Sequence, residues 1–347
     1  MTLILSNEEI ESLLTMDACL EVIEEAYREL AVGRAVNQLR IDTQMAMDAP
    51  EGKEREYEFK TMVGMIKKWD ICALRLSSSI MHWPVIQGKR RVDKIPAAPG
   101  GRWVGLVALF GLKTGEPLAI FPDGYVQKMR VGASYALATK YLARKDARVL
   151  GLYGSGWQAQ AQLDAHLQVR SFEEVKVFSP NREHRERFCL EVGRKHKVRI
   201  RPVEEPVEVM RGSDVVIAAT NSVDPVVLGE WVERGMHIGS VKGEIDQGVA
   251  AKADVIVVHS HLQFETHVAG EGQYGKIRAV AEAGPALFER EKMPLLEDII
   301  VGKASGRTDD QQVTYFDGTP GLGIQFAAVG SKVYRSEERR VGKECRL

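Results

Sequence analysis

Gly154-Ser155-Gly156-Trp157-Gln158-Ala159 follows directly on an apolar run, 149–153, and passes into a helix-forming segment. The order strand, tight turn, helix offers unpaired backbone N–H groups and the positive end of a helix dipole to a phosphate. In this spacing Gly154 allows the turn and Gly156 lets a diphosphate approach the backbone. Ala159 keeps the helix close to the strand. The plain alternative is an ordinary strand-to-helix turn; the elements on either side favour dinucleotide binding. The next apolar run, 174–178, ends in Ser179-Pro180-Asn181-Arg182 rather than in a carboxylate. An Asp or Glu there would bond the ribose hydroxyls of NAD, whereas Arg182 can pair with a 2′-phosphate, so NADP(H) is favoured and NAD(H) stays possible. Thr220-Asn221-Ser222 and Ser240-Val241-Lys242 close two later apolar runs, at the edge where such sheets bind ligands.

These residues need a parallel sheet to bring them together, and the pattern predicts one. Strands at 148–153, 174–178, 198–203, 214–219, 236–241 and 254–258 alternate with helices at 157–169, 183–195 and 206–211, after a helix at 127–143. Upstream, Ser6-Asn7-Glu8-Glu9 reads as a cap for an amphipathic helix that Gly33 ends. Short apolar runs at 43–47, 59–65, 72–77, 104–110 and 118–121 read as strands of a second sheet. Between them, Gln87–Arg102 is basic and rich in Gly and Pro, and reads as an exposed loop or lid. Residues 313–334 read as strand, glycine turn and helix packing back on the first domain. The expected fold class is therefore α/β: a Rossmann-type doubly wound parallel sheet (127–312) and a second α+β domain for substrate and dimer contacts, built from both chain ends (1–126 and 313–335). Residues 336–347 lack apolar periodicity and read as a non-native or disordered tail.

The composition fits a globular protein: 347 residues, 44% hydrophobic, 27% charged, net charge −1. Near-zero charge argues against nucleic acid and anionic membranes as partners, and no apolar run reaches the roughly 20 residues of a membrane span. Four scattered cysteines suit a reduced, cytoplasmic protein without disulfides. His259, His261, Glu265 and His267 do not match a zinc spacing, and no metal is expected.

The chain resembles the ornithine cyclodeaminase/mu-crystallin family. The resemblance rests on Pro122-Asp123-Gly124 with Met129-Arg130, the 154–159 turn, Ala218-Ala219-Thr220-Asn221-Ser222 with Pro225-Val226, 234–238, Glu244-Ile245-Asp246, and Gly306-Arg307 before 313–316. It implies a homodimer, a Rossmann domain, and NAD(P)-dependent chemistry on imino or amino acids; some members instead convert ornithine to proline or bind ligands without catalysis. It places the family's carboxylate-binding arginines on Arg130 and Arg40, and the family lysine on Arg75, beyond an altered Met62-Val63-Gly64 turn. Lys60 is the lysine nearby. An arginine is always protonated, so Arg75 is a poor proton carrier. The family's aspartate loop is missing, because Val241-Lys242-Gly243 runs straight into Glu244, which demotes the cyclodeaminase reaction.

The chemistry expected is reduction of C=N, or oxidation of CH–NH, in a small amino or imino acid. Arg130 and Arg40, with Arg75, would clamp the carboxylate and Lys60 would relay a proton. Each has a plainer reading: a surface ion pair for the arginines, a solvated strand edge for Lys60. His82 reads as packed beside Trp83, and Asp123 as a helix cap that otherwise orients Arg130. A cyclodeaminase-type lyase and a non-catalytic, mu-crystallin-like ligand binder remain the alternatives.

Overall fold

The computed structural model describes residues 2–48, 55–86, 88–95, 104–269 and 287–344. Strand β1 (Leu3–Ile4) precedes α1 (Asn7–Leu13), which is closed by a reciprocal cap. Ser6 Oγ accepts from the Glu9 N–H at 3.2 Å, and Glu9 Oε2 accepts from the Ser6 N–H at 2.7 Å. The single amphipathic helix expected here is two. The backbone turns extended at Leu14 and Thr15, which drops Leu14 into the core before α2 (Met16–Ala31). Next come β2 (Ala35–Asn37), β3 (Ile41–Met47), β4 (Arg55–Ile66) and β5 (Ile71–His82), then β6 (Val85–Ile86), β7 (Lys89–Arg90), β8 (Asp93–Ile95), β9 (Val104–Gly111) and β10 (Pro117–Pro122). β5 outruns the apolar pattern because its buried face turns polar at Ser77 and Ser79, where it lines a cavity.

Helix α3 (Gly124–Leu142) leads into β11 (Val149–Tyr153), α4 (Trp157–Val169), β12 (Glu174–Phe178), α5 (Arg182–Gly193), β13 (Arg199–Pro202), α6 (Val207–Met210), β14 (Val215–Ala218), β15 (His237–Ser240), α7 (Gln247–Lys252) and β16 (Val255–Val258). Then follow β17 (Glu265–Ala269), α8 (Leu296–Ile300), β18 (Thr314–Asp317) and α9 (Gly323–Glu344). Seven strands form one parallel sheet in the order β13-β12-β11-β14-β15-β18-β16. This is the doubly wound α/β architecture. The other sheet runs β1-β10-β9-β5-β4-β3-β17, with β2 on β4 and β8 on β5, and is mainly antiparallel. Among the described residues no helix is long and apolar enough to cross a membrane.

Four expectations need correction. The segment 313–335 does not return to the first sheet as a unit: β18 inserts between β15 and β16, and only α9 packs on β4 and β5. β18 is wholly buried, as a strand covered on both faces must be. Of the tail expected to be non-native or disordered, 336–344 continues α9, whose Glu337, Glu338, Arg339 and Arg340 are good helix formers; residues 345–347 lie outside the described residues. Met62-Val63-Gly64 is no turn but the middle of β4. A Cβ on Gly64 would lie 2.2 Å from the Gly323 carbonyl carbon, so glycine there lets the N-terminus of α9 dock on the strand. Glu265 and His267 lie on β17 rather than in a loop, paired with β3.

Candidate active site

β11 bonds β12 on one side and β14 on the other, so the chain leaves its carboxyl end in opposite directions and opens a crevice. Gly154 has φ +111°, and a Cβ there would lie 2.4 Å from the Ala219 carbonyl oxygen. Only glycine fits. Gly156 is the N-cap of α4, and a Cβ on it would meet nothing within 4 Å, so the helix entrance is open on that side. A cavity of about 1420 Å³ lies above, lined by Gly154, Ser155, Gly156, Trp157 and Gln158. Ala159 is buried beneath the turn instead. This cradle suits a diphosphate: an open helix N-terminus with no side chain in the way.

Beside it, Ser179, Pro180 and His184 line the cavity at the end of β12. Asn181 caps α5, accepting the His184 N–H at 2.9 Å. Arg182 does not line the cavity. Its side chain is 71% exposed, and its Nε sits 2.7 Å from Glu186 Oε1 one helical turn on. The acids that do line the cavity, Glu58 and Asp123, belong to other elements. Thr220, Asn221, Ser222, Val241 and Lys242 all line it. The short 241–246 loop is organised by buried Glu244, whose carboxylate accepts from the Thr220 N–H (3.0 Å), the Lys242 N–H (2.8 Å) and Ser240 Oγ (2.6 Å). That carboxylate ties the ends of β14 and β15 together and is spent in doing so.

Across the cleft, the first sheet contributes Glu58, Lys60 and Lys94, with Arg40 just ahead of β3, and α3 contributes Gln127 and Arg130, with Asp123 just ahead of it. Arg40 is held bidentately by buried Asp42, at 2.9 and 2.8 Å, and stacks 4.0 Å from the Phe264 ring. Lys60 Nζ lies 2.8 Å from Glu58 and 3.6 Å from Asp42. Burial pushes the Glu58 carboxyl up, but Lys60 and Lys94 outweigh it and hold the group at about 2. Desolvation, helped by Lys60, holds Lys94 at about 8. Arg75 does not line the cavity. Its guanidinium is taken by Asp123 (2.7 and 2.8 Å) and Gln127 (2.6 Å), which do. Asp123 thus precedes α3 without capping it through its side chain; the carboxylate serves Arg75 instead, correcting both roles expected for it.

Arg130 differs from the other cations. It is buried, it stacks over Phe326 at 4.9 Å, and its Nη1 donates to Gln325 Oε1 at 2.8 Å. No carboxylate among the described residues pairs with it, and its Nε has no hydrogen-bond acceptor. Burial and the nearby Arg75 push its guanidinium down to about 9.

Sequence reasoning missed Lys94 and Arg91, and weighed His259 only as a metal ligand. Residues 88–95 of the expected lid are not a free loop: β8 pairs with β5, Arg91 bridges to Ser222, and the Val92 N–H donates to Asn221 O at 2.9 Å. The strap ties the first sheet to the 220–222 edge and brings Lys94 and Arg91 into the cavity wall; 87 and 96–102 lie outside the described residues. Its composition alone carried no sign of these pairings. His259 lines the cavity but bonds Tyr27, while His261 bonds the Met293 carbonyl; the described residues hold no metal-binding cluster. His82 ends β5 and does not itself line the cavity, although Met81 and Trp83 on either side of it do.

A doubly wound sheet with an open glycine turn, facing a cationic wall from a second sheet, defines the Rossmann-type class. The chain belongs to the ornithine cyclodeaminase/mu-crystallin family, whose model matches residues 97–340. It is 32% identical to an alanine dehydrogenase of Archaeoglobus fulgidus, over 100% of this chain and 98% of that protein. Its structure is similar to that of Thermococcus litoralis Δ1-pyrroline-2-carboxylate reductase in complex with NADH and L-proline, at 26% identity and TM-score 0.78, covering 98% of each chain. It is also similar to an archaeal alanine dehydrogenase dimer with bound NAD, at 29% identity and TM-score 0.77, covering 98% of this chain and 97% of that one.

Proposed function

We propose that this chain is an NAD(P)(H)-dependent oxidoreductase acting on the C=N or CH–NH bond of a small amino or imino acid. The observation that carries the reading is Arg130, a buried guanidinium without a carboxylate partner among the described residues, in the same cavity as the Gly154 turn. A buried cation without a counter-ion is costly, and a substrate carboxylate would complete it. The cofactor, when bound, supplies or accepts the hydride. Its diphosphate would rest on Gly154–Gly156, with Thr220, Asn221, Ser222, Val241 and Lys242 along the nicotinamide half. Arg130 grips the carboxylate, and Arg40 borders it from its Asp42 pair. Lys60, with Lys94 beside it, moves the proton at the substrate nitrogen. Arg75 positions Asp123 and Gln127. The relatives' named activities, on alanine and on a cyclic imine, support this reading. Among the described residues the lyase alternative finds no free acid: at the cavity Glu58 pairs with Lys60 and Asp123 with Arg75, and the Glu244 carboxylate is taken by Thr220, Ser240 and Lys242.

NADP(H) remains the favoured cofactor in this proposal, since no acidic side chain lines the cavity after β12 and the Arg182–Glu186 pair is solvent-exposed, so a 2′-phosphate competes with it readily. The test is oxidation of NADPH and of NADH with a panel of cyclic imines, and of 2-oxo acids plus ammonia. Turnover of at least one is expected, faster with NADPH, and Arg182→Asp should shift preference towards NADH by roughly tenfold, about 1.4 kcal/mol. No turnover with any substrate overturns the assignment, and an unchanged cofactor ratio in the variant removes Arg182 from the site.

We further propose a homodimer through the outer face of the first sheet. Val63, Leu74, Ala108, Ile120 and Ile4 stand in one cross-strand row there, with Ile4 81% and Ile120 37% exposed. A solvent-facing apolar row of this kind marks an interaction surface. Sedimentation equilibrium should give twice the chain mass; a monomer at micromolar concentration refutes the proposal.

A further inference from the structure

The partner that holds Arg130 is an amide, and the amide is itself held by a chain of buried groups whose hydrogen-bond directions are all forced. The Gly318 carbonyl only accepts, so His259 Nδ1 carries the proton and donates to it at 2.8 Å. His259 Nε2 is then a bare acceptor, and Tyr27 O–H donates to it at 2.5 Å. The Tyr27 oxygen in turn accepts from Gln325 Nε2 at 2.9 Å. The second amide hydrogen goes to Ser134 Oγ at 2.7 Å, whose hydroxyl donates to the Arg130 carbonyl at 2.8 Å. With both amide hydrogens used, the Gln325 oxygen must face Arg130 Nη1. Tyr27, His259, Ser134 and Gln325 are all buried, so none of these bonds competes with bulk water. Burial keeps the His259 ring neutral at neutral pH, as its acceptor role requires, pushing it down to about 3.

We propose that Gln325 is a positioning residue for Arg130: the Gly318–His259–Tyr27 chain locks its carbonyl onto one guanidinium nitrogen and leaves the cation's charge uncompensated for an anionic substrate group. A glutamate here would hold the guanidinium as firmly but neutralise it; an apolar residue would leave it unaligned. Gln325 thereby sets the specificity of the cavity for a carboxylate over its neutral amide or ester. The inference rests on the reading that Arg130 binds the substrate carboxylate.

The experiment measures KM and kcat for the imine or 2-oxo acid identified by the panel, NADH affinity by fluorescence, and melting temperature, in Gln325→Glu, Tyr27→Phe and Arg130→Met. Gln325→Glu should raise KM about 30-fold, equivalent to about 2 kcal/mol, with kcat within about threefold and NADH affinity unchanged. Tyr27→Phe, which removes only the hydroxyl linking His259 to Gln325, should raise KM about fivefold, or about 1 kcal/mol, in the same pattern. A KM within twofold of the parent in both variants, while Arg130→Met raises it, overturns the role of Gln325 and leaves the clamp standing. An unchanged KM in Arg130→Met overturns the clamp, and the inference falls with it. Should Gln325→Glu fail to fold, Tyr27→Phe alone decides.

Discussion

Arg130→Met should lower kcat/KM for a carboxylate substrate on the order of 100-fold, about 3 kcal/mol, while raising the melting temperature of the free protein. The two effects have one cause. The guanidinium is buried with no counter-ion among the described residues, and its fall from 12.5 to about 9 corresponds to a cost of keeping it charged on the order of 5 kcal/mol. Methionine removes that cost, fills most of the volume and keeps contact with Phe326, at the loss of the hydrogen bond to Gln325. The net gain in stability is roughly 1–3 kcal/mol. Activity and stability should therefore move in opposite directions at this one position, as happens where a site stores unfavourable charge for a ligand. Calorimetric melting beside steady-state kinetics checks both. A variant that loses activity and stability together would mean that Arg130 is structural.

Acid should destabilise the protein well before most of its carboxylates titrate. His166 and His259 are pushed by burial to about 4 and about 3, and His237 is also lowered by burial. Their bonds fit neutral rings: His166 Nδ1 donates to the Gln162 carbonyl at 2.6 Å, and its Nε2 faces Thr139 Oγ1 at 2.9 Å. Below about pH 6.5 the unfolded chain binds three protons that the folded chain refuses, so stability falls as pH falls. Glu297 has the opposite sign. Burial raises it to about 7, so the folded state holds one extra proton between about pH 7 and the unfolded value near 4.5. The net uptake on unfolding is about two protons between pH 6.5 and 4.5, a slope of about 2.7 kcal/mol per pH unit. Paired carboxylates such as Glu58, held at about 2, add to the loss only below that window. Melting followed by circular dichroism from pH 7.5 to 4.5 should show this slope, and His166→Gln should reduce it by about half. A melting temperature flat across that range would contradict the neutral, buried state of these rings.

Local readings survived where a local cause exists. The Ser6 cap, the 154–159 turn and the parallel strands follow from neighbours in sequence, through hydrogen bonds and periodicity that span a few residues. Readings that depended on distant partners fared less well. At Arg182 a near neighbour intervenes instead, since its side chain pairs with Glu186 one turn further on and does not line the cavity. Arg75 lies behind the cavity because Asp123, forty-eight residues away, claims its guanidinium. Lys94 and Arg91 were hidden in a basic stretch whose strand pairing to β5 and Ser222 leaves no local mark.

From residue types and spacing alone came the doubly wound architecture, the glycine turn and a shortlist of cations. Folding decided that Arg130, among the described residues, is left without a carboxylate partner. Charge compensation is a property of what lies within a few ångströms, and only the packing of α3 against α9 sets an amide and an aromatic ring, rather than a carboxylate, against Arg130, with Tyr27 of α2 holding that amide.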